Sequence, residues 1–385
     1  MRVAIVSRIY RPEPSAASFF LGSVADALVE RGDDVTVLTA RPPRSSEPHA
    51  PRERVRTFPV VRDRNGYVRG YLPYASFDLP LFFRLLFARR PDVVFVEPPP
   101  TTGVVVRIVC ALRRIPYVYD AADIWSDAAS MATSSTAVTR VLRRLERFAM
   151  RGATRLVTIS QGVVDRVRAL GIERPIAVTG FGADTSSFSY RPADIQPLVV
   201  YAGSYSTWHG AEVVVDALAV LRDKGVDVRL LVIGNGEQET LAVRARDRGL
   251  ESVVEFAAPV DPEDLSRVLG GALVSIATLR PGTGYDYAFT SKVYSSLAAG
   301  CPVVFAGPGP TGPFVTEASR HVRAGSAVSH DADELADALR ALIDHPPTEA
   351  DRAALAEWTA REHSMAAVAG RVADEITAAT RRRMP

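Results

Sequence analysis

The chain has 385 residues, 47% of them hydrophobic, and its 46 basic and 44 acidic side chains leave a formal net charge of +2. That length exceeds one comfortable core and fits two domains of ordinary size. The near-balance of charge argues against a dedicated nucleic-acid binder, and the two distant cysteines, Cys110 and Cys301, exclude a disulfide framework and read as small buried hydrophobes of a reducing compartment.

The opening stretch MRVAIVSRIY has too short an apolar run for a signal peptide and meets Arg8 and Arg11 at once. The most apolar window, Thr101 to Leu112, is broken by Arg107, so no membrane span is expected and the expected place is the cytoplasm. Short β-branched runs predict strands at Val3–Val6, Val35–Leu38, Val93–Val96, Tyr117–Tyr119 and Leu156–Ile159, with helices at Phe19–Arg31 and Val138–Arg151 among them. The polar, aperiodic stretch Ser189–Pro197 reads as a linker. Beyond it the pattern restarts, with strands at Val199–Tyr201, Val228–Ile233, Val253–Phe256, Val274–Ile276 and Val303–Phe305. Helices are expected at Ala211–Lys224 and Glu237–Arg248, and an alanine- and arginine-rich helix at Met365–Arg382. Strand–helix alternation with near-continuous apolar strands gives an α/β fold of two doubly wound parallel-sheet, Rossmann-like domains, residues 1–190 and 198–365, followed by a terminal helix, 366–385. Ligands of such sheets sit beyond the carboxyl ends of the strands, so two domains facing across a cleft would suit group transfer between a donor and an acceptor.

Two basic, aromatic-containing stretches, PLFFRLLFARR (Pro80–Arg90) and RVLRRLERFAMR (Arg140–Arg151), read as amphipathic helices packing on a sheet. Contact with an anionic membrane surface stays open as the alternative. In DAADIWSDAA, Asp120, Asp123 and Asp127 cluster with Trp125 at the end of a strand, a pattern that favours a ligand site over helix capping. Asp123 could orient a sugar hydroxyl or act as a base. Gly203, Ser204 and His209 follow the first strand of the second half in VVYAGSYSTWHG. Gly234 and Gly236 in VIGNGEQE allow close backbone approach at a strand–helix junction, although an ordinary tight turn would look the same. TSKVYSSLAAGCPVV carries Lys292 at the mouth of a helix, and the chain has only one other lysine, Lys224.

Together these segments resemble the GT-B glycosyltransferases of family 4, retaining and metal-independent enzymes that use nucleotide-sugars, most of all the surface-polysaccharide branch. The likeness runs from SRIYRPEPSAASFFLGSVADALVERGDDVTVLT through RPDVVFVEPPP, IPYVYDAADIWSD, LVTISQGVVDRV and GFGADTSSF to YAGSYSTWHG, LLVIGNGEQE and TSKVYSSLAAGCPVV. The resemblance implies a second domain that binds a nucleotide-diphosphate sugar and a first domain that binds the acceptor, which could be a glycan, a lipid-linked saccharide or a small secondary metabolite. It implies no metal or other cofactor and no nucleic-acid partner. A peripheral membrane contact is left open. It assigns donor binding to Ser15 and Ala16, Gly203 and Ser204, Gly234, Asn235 and Gly236, and Ser291, Tyr294 and Ser295, and acceptor binding to Trp125 and Asp127.

This sequence also departs from the family's pattern. Ser204 and His209 stand where many members carry an Arg and a Lys for the diphosphate, and Tyr287 and Ser295 stand where many carry two glutamates. Lys292, helped by His209, is then the expected cation for the leaving diphosphate, and Asp123, Lys292 and His209 form the expected catalytic set. Asp286 could supply the acid missing at Ser295, which cannot accept two ribose hydroxyl bonds as a carboxylate can. RPGTGYDYAF (Arg280–Phe289) is the expected loop over the donor sugar. A nucleotide-sugar epimerase and a non-catalytic partner of an active transferase are the competing readings.

Overall fold

The computed structural model describes residues 1–13, 15–43, 51–63, 68, 70–132 and 135–381. The chain divides into two compact units, Met1–Gly180 joined by Val368–Pro385, and Phe181–Ala367. The stretch read as a linker, Ser189–Pro197, belongs wholly to the second unit: the Ser189 N–H donates to Ser266 Oγ at 3.1 Å, and a strand already begins at Gln196. Its prolines and lack of period mark a surface connection, and its backbone is tied to the unit that follows.

In the first unit the chain runs β1 (Arg2–Val6), α1 (Ala16–Glu30), β2 (Asp34–Ala40), β3 (Arg54–Phe58), α2 (Tyr71–Phe87), β4 (Val93–Val96) and α3 (Pro100–Arg113). It continues through β5 (Tyr117–Asp120), α4 (Trp125–Ala132), α5 (Thr136–Gly152), β6 (Arg155–Thr158), α6 (Gln161–Ala169) and β7 (Ile176–Val178). The strands form one parallel sheet in the order β3-β2-β1-β4-β5-β6-β7. Strand order reverses direction between β1 and β4, and this pair is in register with Val3 opposite Val93 and Val6 opposite Val96. β4 and β5 are buried at every position, as a sheet covered on both faces requires. Serines cap the helices that leave the sheet: Ser15 accepts from the Ser18 N–H at α1, and Ser160 from the Val163 N–H at α6.

The second unit runs β8 (Gln196–Ala202), a 3₁₀ turn (Thr207–His209), α7 (Glu212–Asp223), β9 (Arg229–Ile233), α8 (Gln238–Asp247), β10 (Val254–Ala257), α9 (Pro262–Gly271) and β11 (Ala272–Thr278). There follow α10 (Lys292–Ala298), β12 (Val303–Ala306), α11 (Thr311–Ala318), β13 (Gly325–Val328), α12 (Ala332–Asp344), α13 (Glu349–His363) and α14 (Met365–Arg381). Its sheet is parallel in the order β10-β9-β8-β11-β12-β13, and here the reversal lies between β8 and β11. The last helix, α14, begins in this unit, and from Val368 onward it belongs to the first. There Asp374 pairs with Arg31 at 2.7 Å, and Arg371 donates to the Thr179 carbonyl at 2.8 Å. The expected terminal helix reaches Arg381, and its last residues, 382–385, lie outside the described residues.

One buried cation locks β11 in place. Arg352 on α13 is 1% exposed, and its guanidinium donates to the carbonyls of Leu269, Gly270 and Ala272 at 3.1, 2.9 and 3.0 Å. Those carbonyls close α9 and open β11, where a helix leaves acceptors without intrahelical partners and a partial negative charge. Arg352→Met should therefore strand three buried acceptors and cost about 3 kcal/mol or more, read as a drop in the denaturant midpoint.

Candidate functional site

Side chains with chemistry gather at the carboxyl ends of the strands in each unit, at the point where strand order reverses. In the first unit that point is marked by Ser7 and Arg8 after β1 and by Glu97 after β4. Ser7 Oγ donates to Glu97 Oε2 at 2.9 Å. Burial pushes the Glu97 carboxyl up to about 7, with Arg8 and the Ser7 bond pulling it back. Asp120, at the end of β5, is buried and held well above the usual carboxylate range by desolvation and by its acidic neighbours Glu97 and Asp123. Asp123 itself is exposed on the loop that follows.

Arg8 is 9% exposed and its guanidinium lies over two neighbouring rings, 4.8 Å from the centroid of Tyr74 and 5.2 Å from that of Trp125. Its Nε has no hydrogen-bond partner. Tyr74 and Trp125 meet edge to face at 6.3 Å. The arrangement offers protonatable carboxyls, a desolvated guanidinium and aromatic surface, which is the inventory for a polyhydroxylated or anionic ligand.

Asp127 was expected in this group and is not part of it. Both its oxygens accept from Arg166 on α6, at 2.6 and 2.7 Å, and the carboxylate is buried. It sits in the first turn of α4 and ties that helix to α6, so its lone pairs serve the fold. Trp125 begins α4, and its backbone N–H donates to Glu146 Oε1 at 2.7 Å. Ser15 and Ala16 lie at the start of α1, Ser15 engaged as its cap and Ala16 exposed.

In the second unit the reversal between β8 and β11 carries Lys292. Its Nζ donates to the Ser204 carbonyl at 3.0 Å and lies 4.1 Å above the ring of Tyr201, whose hydroxyl is 3.1 Å from Thr278 Oγ1. Tyr201 is the last but one residue of β8 and Thr278 ends β11, so the ammonium sits over the carboxyl ends of the two strands. Among the described residues no carboxylate forms an ion pair with Lys292, whereas the other lysine, Lys224, pairs with Asp337 at 2.8 Å on the surface. Desolvation in this half-buried place pushes the Lys292 pKa down to about 7.

The glycines there answer to one another. Gly203 has φ +106°, open to glycine and strained for other residues, and its backbone passes beneath the Lys292 stem. A Cβ at Gly234 would fall 2.1 Å from the Gly203 carbonyl, and one at Gly236 would strike the Tyr205 ring at 2.4 Å. Tyr205 N–H donates to the Asn235 carbonyl at 3.0 Å. Gly234 and Gly236 are therefore required by the approach of the loop after β8 to the loop after β9. Gly203, Ser204, Asn235 and Gly236 are left exposed.

Two further expectations are corrected. His209 is 4% exposed, stacked on Trp208 at 3.6 Å and bonded through Nδ1 to Ser206 Oγ at 3.0 Å. Desolvation and the nearby Lys292 charge push its pKa down to about 3, so it stays neutral and cannot assist as a cation. Tyr294 is 3% exposed in an aromatic cluster with Phe181, Phe289 and Phe314, which is core. Asp286 accepts from the Gly282 N–H with both oxygens, at 3.1 and 3.2 Å, bracing the loop that the sequence assigned to the donor sugar. Ser291 is exposed just before α10, and Ser295 is half-buried one turn along it.

Sequence reasoning missed Glu97, Arg8 and Tyr74 in the first unit. The signal for Glu97 was its place directly after the apolar run Val93–Val96, at a carboxyl end. It also missed Trp208, which meets Tyr285 edge to face at 5.7 Å and supplies aromatic surface beside His209.

Two family models match the chain, one described as a glycosyl transferase 4-like domain over residues 17–182 and one as glycosyl transferases group 1 over residues 196–345. The D-inositol 3-phosphate glycosyltransferase of Corynebacterium aurimucosum is 28% identical over 179 residues, which cover 45% of this chain and 41% of that protein. The GDP-mannose-dependent alpha-(1-6)-phosphatidylinositol dimannoside mannosyltransferase of Mycobacterium tuberculosis is 27% identical over 184 residues, which cover 46% of this chain and 45% of that protein. Each match thus spans less than half the relative's length. The solved structure of sucrose-phosphate synthase from Thermosynechococcus elongatus superposes with a TM-score of 0.69 at 17% identity, over 98% of this chain and 99% of that one. Two doubly wound units, each matched by a glycosyltransferase model, place the chain in its family: it belongs to the family-4-like glycosyltransferases of GT-B fold.

Proposed function

We propose that the chain is a retaining glycosyltransferase that moves a hexose-type sugar from a nucleotide-diphosphate sugar to an acceptor hydroxyl. The observation that carries this reading is Lys292, a desolvated ammonium without a carboxylate partner among the described residues, held over the strand reversal of the second unit. As the bond between the anomeric carbon and the diphosphate breaks, negative charge grows on the departing phosphate oxygen. A fixed cation in a half-buried wall stabilises that charge more than one in water does. The Ser204 carbonyl holds Nζ in place, and the exposed backbone of Gly203 and Ser204 lies beside it. His209 contributes at most a neutral N–H. In the first unit, the rings of Tyr74 and Trp125 and the carboxyls of Glu97 and Asp123 are the acceptor candidates, with Asp123 orienting a hydroxyl. The GDP-mannose dependence of the mycobacterial relative makes a GDP-linked donor the first to test.

Lys292→Ala should weaken nucleoside-diphosphate binding about 10- to 100-fold in calorimetry, the range of one charge-assisted contact. In the wild type the affinity should fall as pH rises through 7, because the ammonium loses its proton there. Lys292→Arg keeps its charge to much higher pH and should flatten that profile. Unchanged affinity in Lys292→Ala would remove the lysine from the site.

Turnover separates the remaining readings. Incubation with GDP-, UDP- and dTDP-sugars and a panel of glycan, lipid-linked and small-molecule acceptors should release nucleoside diphosphate only when an acceptor is present. Donor consumption without any acceptor would point to an epimerase. Nucleotide binding with no consumption under any pairing would favour a non-catalytic partner, the reading that Ser295 in place of an acid supports.

A further inference from the structure

The three helices α2, α3 and α5 lie side by side on the first unit, with α3 between the other two. Their outward faces are unusual. On α2, Leu72, Leu79, Phe83 and Phe87 are 67, 67, 52 and 78% exposed. They recur at helical spacing along one side, so the solvent-facing stripe of α2 is apolar for its whole length. On α3 the exposed positions include Ile108 and Leu112, the latter 66% exposed. On α5, Val141 and Phe148 share the outer side with the exposed Arg140, Arg144 and Arg151. A helix packed on a sheet normally turns its apolar side inward and its polar side out; α2 and α3 are apolar on both.

The charge on these helices has one sign. Together they carry eight arginines and two acids, Asp78 and Glu146, and both acids are buried. Arg107 on α3 lies 3.9 Å from the Phe148 ring centroid, which keeps cation and apolar surface adjacent. A second copy docking by two-fold symmetry would bring arginine stripes near arginine stripes with no exposed acid on the helices to answer them. A nucleic acid would satisfy the arginines and leave the leucines and phenylalanines in water. An anionic lipid surface answers both features, taking up the apolar stripe at the acyl boundary and the guanidinium groups at the headgroups.

We propose that the α2–α3–α5 face docks on an anionic lipid bilayer. The inference rests on the surface alone and stands apart from the transferase reading. The test is co-sedimentation of the full chain with vesicles of phosphatidylcholine alone and of phosphatidylcholine mixed with phosphatidylglycerol. Binding should be confined to the mixed vesicles and weaken with added salt. The pair Phe83→Ser and Phe87→Ser should lower vesicle affinity about tenfold or more, and each of Arg140→Gln, Arg144→Gln and Arg151→Gln about fivefold. All five positions are exposed, so melting temperature and nucleotide affinity should stay at wild-type values. Equal binding to both vesicle types, or to neither, would overturn the proposal. So would concentration-dependent self-association that the serine pair abolishes without any vesicle binding, which would give the face to a second copy.

Discussion

The second unit's candidate site depends on a lysine that is charged only at a cost. Lys292 exchanges water for one carbonyl, one aromatic face and a backbone that runs close beneath it. An ammonium so placed is poorly satisfied on its own and gains most from an anion that arrives with several oxygens. Everything around it serves that placement. Gly203 lets the chain turn under the lysine stem, Gly234 and Gly236 let the neighbouring loop close against it, and Arg352 fixes the junction from which β11 leads towards the site. The chain is otherwise an arginine chain, and its other lysine is an exposed ion pair on a helix end.

The two units treat charge in opposite ways. The second holds a cation that burial makes easy to deprotonate; the first holds carboxyls that burial makes easy to protonate, Glu97 at about 7 and Asp120 above the usual range. Both sets lie at the reversal of strand order, where diverging loops leave room for a ligand. The apolar face of α2 and α3 shows the complementary anomaly, hydrophobic surface left in water where the fold has no use for it.

The central strands were legible because parallel sheets covered on both sides write themselves as unbroken apolar runs: Val93–Val96 and Val303–Phe305 are buried throughout. The strands that escaped notice are β3, β7 and β13, and all three are edges of their sheets. β3 reads RVRTF, with its arginines turned to solvent, and β13 reads GSAV, with little apolar mass to detect. The site was half legible. A lysine among arginines is a compositional signal, and it pointed to the residue that the structure holds over the strand reversal. Burial is not written in the local sequence, so His209 reads there as a cation and Tyr294 as a donor contact. Asp127 reads as an acceptor ligand because Arg166, its partner, lies 39 positions away. The outward stripe of α2 was visible as a pattern, but which side of a helix meets the sheet is a tertiary fact, and the ordinary reading pointed it inward.

The most direct measurement uses the scarcity of lysine. Reductive methylation with labelled formaldehyde should give two lysine side-chain resonances, Lys224 and Lys292, besides that of the amino terminus. Their titration reports each pKa separately. The account predicts that the Lys292 resonance titrates near 7, and that a bound nucleoside diphosphate moves that titration upward by about a unit or more. A Lys292 that titrates like a surface lysine, or whose titration no nucleoside diphosphate shifts, would contradict the claim that this ammonium is the anchor for the donor.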